Sequence, residues 1–251
     1  MIYCRDAIYS HGAEMAFWEC FERWKQRMTN TNKNEGSPSS EQDTYGDTLK
    51  AAAKLFRDQG YAATTLRQIA EKVGIKAGSI YYHFDSKEEI LDKVLETGIL
   101  TALAEVQQRV NALPPDATCR ERIAAAIEGH LFGILQHGDF VCANIRVYSQ
   151  ISPGSKRRHR AVRAIYAGYW DNLLKECSEQ GGLRSDISLS ILRLFTIGAL
   201  NWTVEWFDPR RGSVETFVSQ ISTIVFDGIL PHDAGEEAPK TLSKRKAQKT
   251  P

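Results

Sequence analysis

Residues 64–87 read TTLRQIAEKVGIKAGSIYYHFDSK, and the rest of the chain is organised around them. Leu66, Ile69, Ala70 and Val73 recur at i, i+3, i+4 and i+7, the apolar stripe of a short amphipathic helix. Thr64 or Thr65 suits its N-cap, because a hydroxyl there accepts from an orphan backbone N–H. Gly74 stands where that helix must stop, and a second short helix is expected from Lys76. Helix, glycine-containing turn and helix at this spacing form a helix-turn-helix. Projected at about 100° per residue, Ile80 and Phe84 point toward the first helix, while Gly78, Ser79 and Tyr82 point away, with Ala77 and Tyr81 on the flanks. A surface helix ordinarily carries long charged side chains on its outer face. Small ones suit a helix that lies against another surface, and a major groove admits a helix. Tyr81, Tyr82 and His83 can donate to phosphate oxygens, which fixes register without reading bases. Ser86 and Glu89 form a capping-box pattern, so Lys87 sits at a helix N-terminus, where phosphate is favoured.

From Thr64 to Lys87 the chain matches without a gap the pattern T-T-x-x-x-I-A-x-x-x-G-[IV]-x-x-G-[ST]-[IL]-Y-x-[HY]-F-x-[SN]-K, and here it resembles the TetR family of one-component bacterial transcriptional regulators. That resemblance implies an all-α protein: a three-helix DNA-binding head with the helix-turn-helix, and a six-helix body for ligand binding and dimerisation. The expected DNA-binding residues are Thr65, Arg67, Lys76, Ala77, Gly78, Ser79, Tyr81, Tyr82, His83 and Lys87. Arg67 lies on the exposed side of the first helix, at a position that often reaches a base or phosphate in the family, and arginine is the usual partner of guanine.

Charge adds no generic attraction to nucleic acid. The 251 residues carry a net charge of +1. Within 45–97, Lys/Arg at 50, 54, 57, 67, 72, 76, 87 and 93 are balanced by Asp/Glu at 47, 58, 71, 85, 88, 89, 92 and 96. DNA binding must therefore rest on placement and local field. No stretch approaches the roughly 18 consecutive apolar residues of a membrane span, and charged residues interrupt the N-terminus where a signal peptide would be apolar. A soluble cytoplasmic protein is expected. The five cysteines (4, 20, 119, 142 and 177) include no C-x-x-C and no histidine pair at metal spacing, so neither a metal site nor a cofactor is expected. A scattered odd set suits a reducing compartment, where buried thiols are the ordinary outcome and a thiol switch at Cys119, Cys142 or Cys177 the sharper one.

Residues 1–42 read as a disordered or mis-started extension, with Met28 an alternative start and 28–43 too polar to bury a core. The head is placed at 43–90, the body at 91–230, and a disordered basic tail at 231–251. A first helix is expected over 44–60, with Gly60 as its stop. Body helices are expected over 87–111, 118–136, 140–151 and 156–180. Two more should run from behind Asp186 to Phe207 and from behind Ser213 to Phe226 or Gly228. The last two are apolar around most of their circumference, as central or interface helices are. In the resembled family they form a four-helix dimer interface, which would pair two heads on a palindromic operator.

No catalytic constellation is present: the six histidines lack a Ser/Asp or Cys partner pattern, and no glycine-rich phosphate loop follows a strand. The chain is not expected to be an enzyme. Aromatic and small residues of the body (Phe132, Phe140, Tyr148, Tyr166, Tyr169, Trp170, Phe195, Asn201 and Trp202) suit an apolar pocket between helices. Beside them lies a basic run from Lys156 to Arg163, readable either as a solvated face or as a phosphate site. An apolar tail with phosphates describes an acyl- or aryl-coenzyme A thioester. R-x-x-Y-x-x-Y-W (163–170), Gly182-Leu183-Arg184 and GALNWTVEWFDP (198–209) are also similar to regulators of fatty-acid, aromatic and steroid-ring degradation, several of which sense such thioesters. The ligand residues so implied are Arg157, Arg163, Tyr166, Tyr169, Trp170, Asn201 and Trp202. The reading is a repressor released from its operator by a small apolar effector. Its rivals are an efflux-type regulator of apolar drugs or aromatics and a ligand-independent architectural DNA-binding protein.

Overall fold

The structure is a computed structural model and describes residues 41–135, 138–208, 210 and 212–229. The expectations for the first 40 residues and for 231–251 lie outside them. Every regular element among the described residues is helical. They are α1 (Glu41–Gln59), α2 (Leu66–Val73), a 3-10 helix (Ala77–Tyr82), α3 (Lys87–Asn111), α4 (Cys119–Leu135), α5 (Gly138–Val147), α6 (Pro153–Glu179), α7 (Leu189–Trp206) and α8 (Val214–Ile229). Packing divides the chain between Leu49 and Lys50, within α1. In the first unit Thr48 Oγ1 donates to the carbonyl of Thr44 at 2.7 Å, one turn back in the same helix. The rest concerns the unit from Lys50 onward.

Each helix end has a local cause. α1 stops at Gly60, whose φ of 83° is the left-handed conformation that lets the Gly60 N–H reach the Phe56 carbonyl at 3.0 Å. Thr65, not Thr64, caps α2. Its hydroxyl accepts from Gln68 N, and Gln68 Oε1 accepts in return from Thr65 N at 2.8 Å. Gly74 closes α2 at φ 80°. Ser86 caps α3 as its spacing predicts, accepting from Glu89 N at 3.1 Å, but the returning arm, Glu89 Oε2, accepts from Asp85 N at 2.7 Å.

Three expectations are corrected. The second helix of the helix-turn-helix is a 3-10 helix, with Ser79 N donating to Lys76 O at 2.9 Å and His83 N to Ile80 O at 3.0 Å. Six residues containing a glycine cannot repay the nucleation cost of an α-helix, so the tighter i→i−3 bonding wins. α5 begins at Gly138 and ends at Val147, four residues earlier than the expected 151, with hydrogen-bonded turns after it. α6 starts at Pro153 instead of the expected 156; the proline's fixed φ and missing N–H cost nothing in the first turn, behind a Ser152 cap on Ser155 N.

α3 is the spine of the body and packs against α4, α5 and α6. Two glycines bring helices closer than side chains would allow. A Cβ on Gly98 would lie 2.4 Å from the Phe140 carbonyl oxygen, and one on Gly129 2.6 Å from the Glu105 oxygen and from Val106 Cα. The core gathers around Trp170, Leu173 and Leu174 of α6, Ile123 and Ile127 of α4, Leu200 of α7 and Phe226 of α8.

Candidate functional site

The head presents a face with the expected polarity. Ile80 and Phe84 are buried, while Ala77, Gly78 and Tyr81 are exposed and Ser79 and His83 are half-buried. Tyr82 is 88% exposed, the extreme among the large hydrophobic side chains of the described residues. Lys76 stands exposed just before the 3-10 helix. Arg67 is exposed and pairs along its own helix with Glu71 at 2.8 Å, a solvated pair of little weight that DNA could displace. Thr65 is occupied as the α2 cap.

Lys87 has a structural role that its sequence position does not suggest. Its ammonium donates to the carbonyls of Tyr61 at 2.8 Å and Thr64 at 2.5 Å and lies 4.1 Å from the Tyr61 ring centroid. Tyr61 also donates to Glu88 at 2.8 Å. The first turn of α3 is thus riveted to the turn that precedes α2, and a phosphate would compete with two carbonyls for Lys87.

Further along α3, Asp92 receives Arg158 and His159 from α6. Arg158 Nε is paired with it, Arg158 Nη2 donates at 3.2 Å, and His159 Nε2 lies 3.0 Å away. The basic run therefore divides in two. Arg158 and His159 tie body to spine. Arg157 and Arg160 are exposed, with no acid partner among the described residues. Arg163 stacks on the Tyr148 ring at 4.0 Å and reaches Asn144 Oδ1 at 3.4 Å.

Behind Arg163 is a cavity of about 360 Å³ between α3, α4, α5, α6 and α7. Its apolar wall includes Ile99, Ala102, Val141, Leu194 and Ile197, and its polar side chains are His130, Asn144, Arg163, Tyr166, Arg193 and Asn201. The structure brings together three of the expected ligand residues: Arg163, Tyr166 and Asn201. It sets the others elsewhere. Trp170 is core, 1% exposed, and Tyr169 packs half-buried against the same core. Trp202 is 66% exposed, and Arg157 is on the surface. α7 explains the division. Leu194, Ile197, Gly198 and Asn201 form one stripe into the cavity. Ile191, Phe195, Trp202 and Trp206 form a second stripe, exposed along its length.

His130, which sequence reasoning passed over, organises the polar end of the cavity. Nδ1 pairs with the Tyr166 hydroxyl, and Nε2 is 3.2 Å from Asn201 Oδ1. Since an amide oxygen can only accept, Nε2 carries the proton and Nδ1 accepts from Tyr166. Burial drives the imidazole pKa down to about 4, partly opposed by the Asn201 bond, so the ring is neutral at physiological pH. Burial likewise pushes the Tyr166 hydroxyl up. This set offers no cation, and its donors and acceptors are already matched to one another.

The pKa carries a stability consequence. Unfolded, the ring titrates near 6.5; folded, it resists protonation until about pH 4. Below pH 6.5 the unfolded chain therefore binds the proton and the folded chain does not. Stability falls by about 1.4 kcal/mol per pH unit from this group, to a limit of roughly 3 kcal/mol near pH 4. His130→Gln should flatten that part of the curve of melting temperature against pH. An unchanged slope between pH 6.5 and 4 in the variant would remove His130 as its source.

Residues 49–94 match the model for bacterial regulatory proteins of the tetR family, and 116–229 match the tetracyclin repressor-like C-terminal domain. The HTH-type transcriptional repressor KstR2 of Rhodococcus jostii is 29% identical over 206 residues, covering 78% of this chain and all of the relative. The solved ketosteroid transcriptional regulator KstR2 of Mycobacterium tuberculosis is 26% identical with a TM-score of 0.62, covering 78% of this chain and 98% of that one. A TetR/AcrR-family regulator from Thermobifida fusca is 30% identical with a TM-score of 0.56, covering 74% and 98%.

Proposed function

The chain belongs to the TetR family of bacterial regulatory proteins, and we propose that it is a homodimeric, ligand-responsive repressor. An apolar effector bearing phosphates, of the acyl- or aryl-coenzyme A class, would release it from a palindromic operator. The observation that carries the effector reading is the cavity: a largely apolar chamber with Arg163 at its edge and Arg157 and Arg160 exposed, with no acid partner among the described residues. About 360 Å³ suits an acyl or ring moiety, not a whole coenzyme. The nucleotide would then lie outside, where guanidinium groups meet phosphates with charge-assisted bonds. Relatives named KstR2, one described as a ketosteroid regulator, agree with a ring-bearing effector. A ligand-independent architectural protein would have no use for such a chamber. We assign no catalysis to the chain and place it in the cytoplasm, with the head at 43–90 and the body at 91–230.

The proposed coupling runs along α3. The helix meets the head through Lys87 and Glu88, is held to α6 through Asp92, and lines the cavity at Gly98, Ile99 and Ala102. An effector that fits the cavity better when α3 and α6 have shifted draws the heads out of operator spacing. It must bind that arrangement preferentially, or nothing is released.

Thermal shift against thioesters, the matching free acids and phosphate-free apolar compounds tests this. A binder at 100 times its Kd adds about 2.7 kcal/mol, roughly 5–10 °C for a chain of this size. Thioesters should shift the protein and the free acids should not. The Arg157→Glu/Arg163→Glu variant should lose the shift. A shift from the phosphate-free compounds alone would discard the phosphate assignment.

At the head, Tyr82→Ala should weaken selected and random DNA alike, because a phosphate contact carries no sequence information. Changes at Lys76, Ala77 or Ser79 should alter which sequence is chosen, by about 1–3 kcal/mol at the affected base pair. Binding measured on library-selected and scrambled duplexes separates the two. Equal losses on both duplexes for every variant would remove base reading from this helix.

A further inference from the structure

The end of the body far along α6 holds two thiols that neither the cavity nor the head uses. Cys119 is the first residue of α4 and partly exposed; Cys177 lies in the last turn of α6 and is fully buried. They are neighbours in space across 58 residues of sequence. Cys177 Sγ is 3.9 Å from the Cys119 carbonyl oxygen, which sets the two residues side by side. Gly182 closes the site. A Cβ there would meet Cys119 Cβ at 2.7 Å and Sγ at 3.0 Å, and the Gly182 N–H is bound to the Cys177 carbonyl at 2.9 Å. The bare glycine is what leaves room for the Cys119 sulfur. The Arg122 guanidinium, paired with Glu176, supplies positive charge beside both sulfurs. Interaction between the two thiols draws the Cys177 thiol down and pushes Cys119 up, burial adds to the rise at Cys119, and the Arg122 charge acts to lower both, so the negative charge of the pair rests on Cys177.

We propose that Cys119 and Cys177 form a peroxide-sensitive dithiol that closes reversibly to an intramolecular disulfide between the first turn of α4 and the last turn of α6. Cys119 is the sulfur a small peroxide can reach. The deprotonated Cys177 sulfur takes the Cys119 proton as Cys119 attacks one peroxide oxygen; the O–O bond breaks, an S–O bond forms, and the departing hydroxide takes a proton from solvent and leaves as water. The Cys177 thiol then attacks the Cys119 sulfur, the S–O bond breaks, and the departing hydroxide takes the Cys177 proton and leaves as the second water. Two electrons pass from the two sulfurs to the peroxide, and two thiols with one hydrogen peroxide give one disulfide and two waters. In a reducing compartment such a bond is transient, as a sensing disulfide must be. α4 carries His130 and α6 carries Arg163 and Tyr166, so the bond would fix two walls of the cavity to each other.

The full-length protein is treated with stoichiometric hydrogen peroxide, quenched by alkylation and digested without reductant. The expected result is a linked Cys119–Cys177 peptide pair with loss of two hydrogens by mass, reversed by dithiothreitol. Cys142, buried with its Sγ against the Ile134 carbonyl, should remain a free thiol. The crosslink should also raise the melting temperature by about 5–10 °C, reversibly, through the loop it closes. Cys119→Ser and Cys177→Ser should each abolish the linked pair and the rise. In the Cys177→Ser protein Cys119 should instead stop at a sulfenic acid that dimedone traps. Sulfinic or sulfonic acid on wild-type Cys119 with no linked peptide, or two unreacted thiols, would overturn the proposal without bearing on DNA or effector binding.

Discussion

Replacing Phe195 and Trp202 together by glutamate is expected to convert the dimer to monomers and to lower operator affinity at least about a hundredfold. Phe195 is 69% and Trp202 66% exposed in the single chain, with Ile191, Leu194, Trp206 and Ile224 also exposed. An apolar surface of that extent on α7 and α8 calls for a partner. A Phe or Trp side chain has about 150–250 Å² to bury. At ~25 cal/mol/Å², hiding the exposed two thirds of each contributes roughly 2.5–4 kcal/mol. A two-fold interface uses the same patch on both subunits, so every loss counts twice. Glutamate also brings a charge that burial penalises. A monomer carries one head, and without the second the avidity of a two-half-site operator is lost. Sedimentation of the free protein and titration of the operator report both effects. The adjacent Asn201 faces the cavity, so a thioester should still raise the variant's melting temperature, which separates lost dimerisation from lost folding. A variant that sediments as a dimer and binds DNA normally would place the interface elsewhere.

That division of α7 also marks where sequence reading stops. The helix-turn-helix was legible because its signals are local: Thr65 caps Gln68, Gly74 ends the helix, and Ile80 and Phe84 share a face, all within a few residues. The boundaries of α3 could be read for the same reason, from a serine cap at one end and a proline pair beyond the other. On α7 both stripes are apolar, so periodicity could not say which of Asn201 and Trp202 faces a cavity. His130 was invisible because its partners, Tyr166 and Asn201, stand 36 and 71 residues away. Arg158 and His159 looked like part of one phosphate site until Asp92, 66 and 67 residues earlier, was brought opposite them. Lys87 answers to backbone carbonyls, which leave no trace in residue identity. Composition placed aromatic residues in the body, but packing alone decided that Trp170 is core while Tyr166 lines the cavity.

The second large effect is expected at Gly129, where two rules give opposite signs. Helix propensity says that Gly129→Ala should stabilise α4 by up to about 1 kcal/mol. Its φ is not positive, so the backbone raises no objection. Contact says otherwise: the new methyl would lie 2.6 Å from the Glu105 carbonyl oxygen, 2.6 Å from Val106 Cα and 2.8 Å from Val106 N. These are backbone atoms of α3 and cannot rotate away, so the two helices must separate. Overpacking of this kind costs about 1–3 kcal/mol, sometimes more, and the separation would reopen a core that includes the fully buried Ile127 and Val106. Sterics should win, and Gly129→Ala should lower the melting temperature by about 5–10 °C, with Gly129→Val worse. Gly168 in α6 supplies the control, since a Cβ there meets nothing within 4 Å. Gly168→Ala should be neutral or raise the melting temperature by a few degrees through propensity alone. If both alanine variants move the melting temperature upward, the close approach of α3 and α4 is not rigid. The spine could then slide at Gly129, and the motion that carries an effector's signal to the head would have to be sought there instead of at the Asp92 clamp.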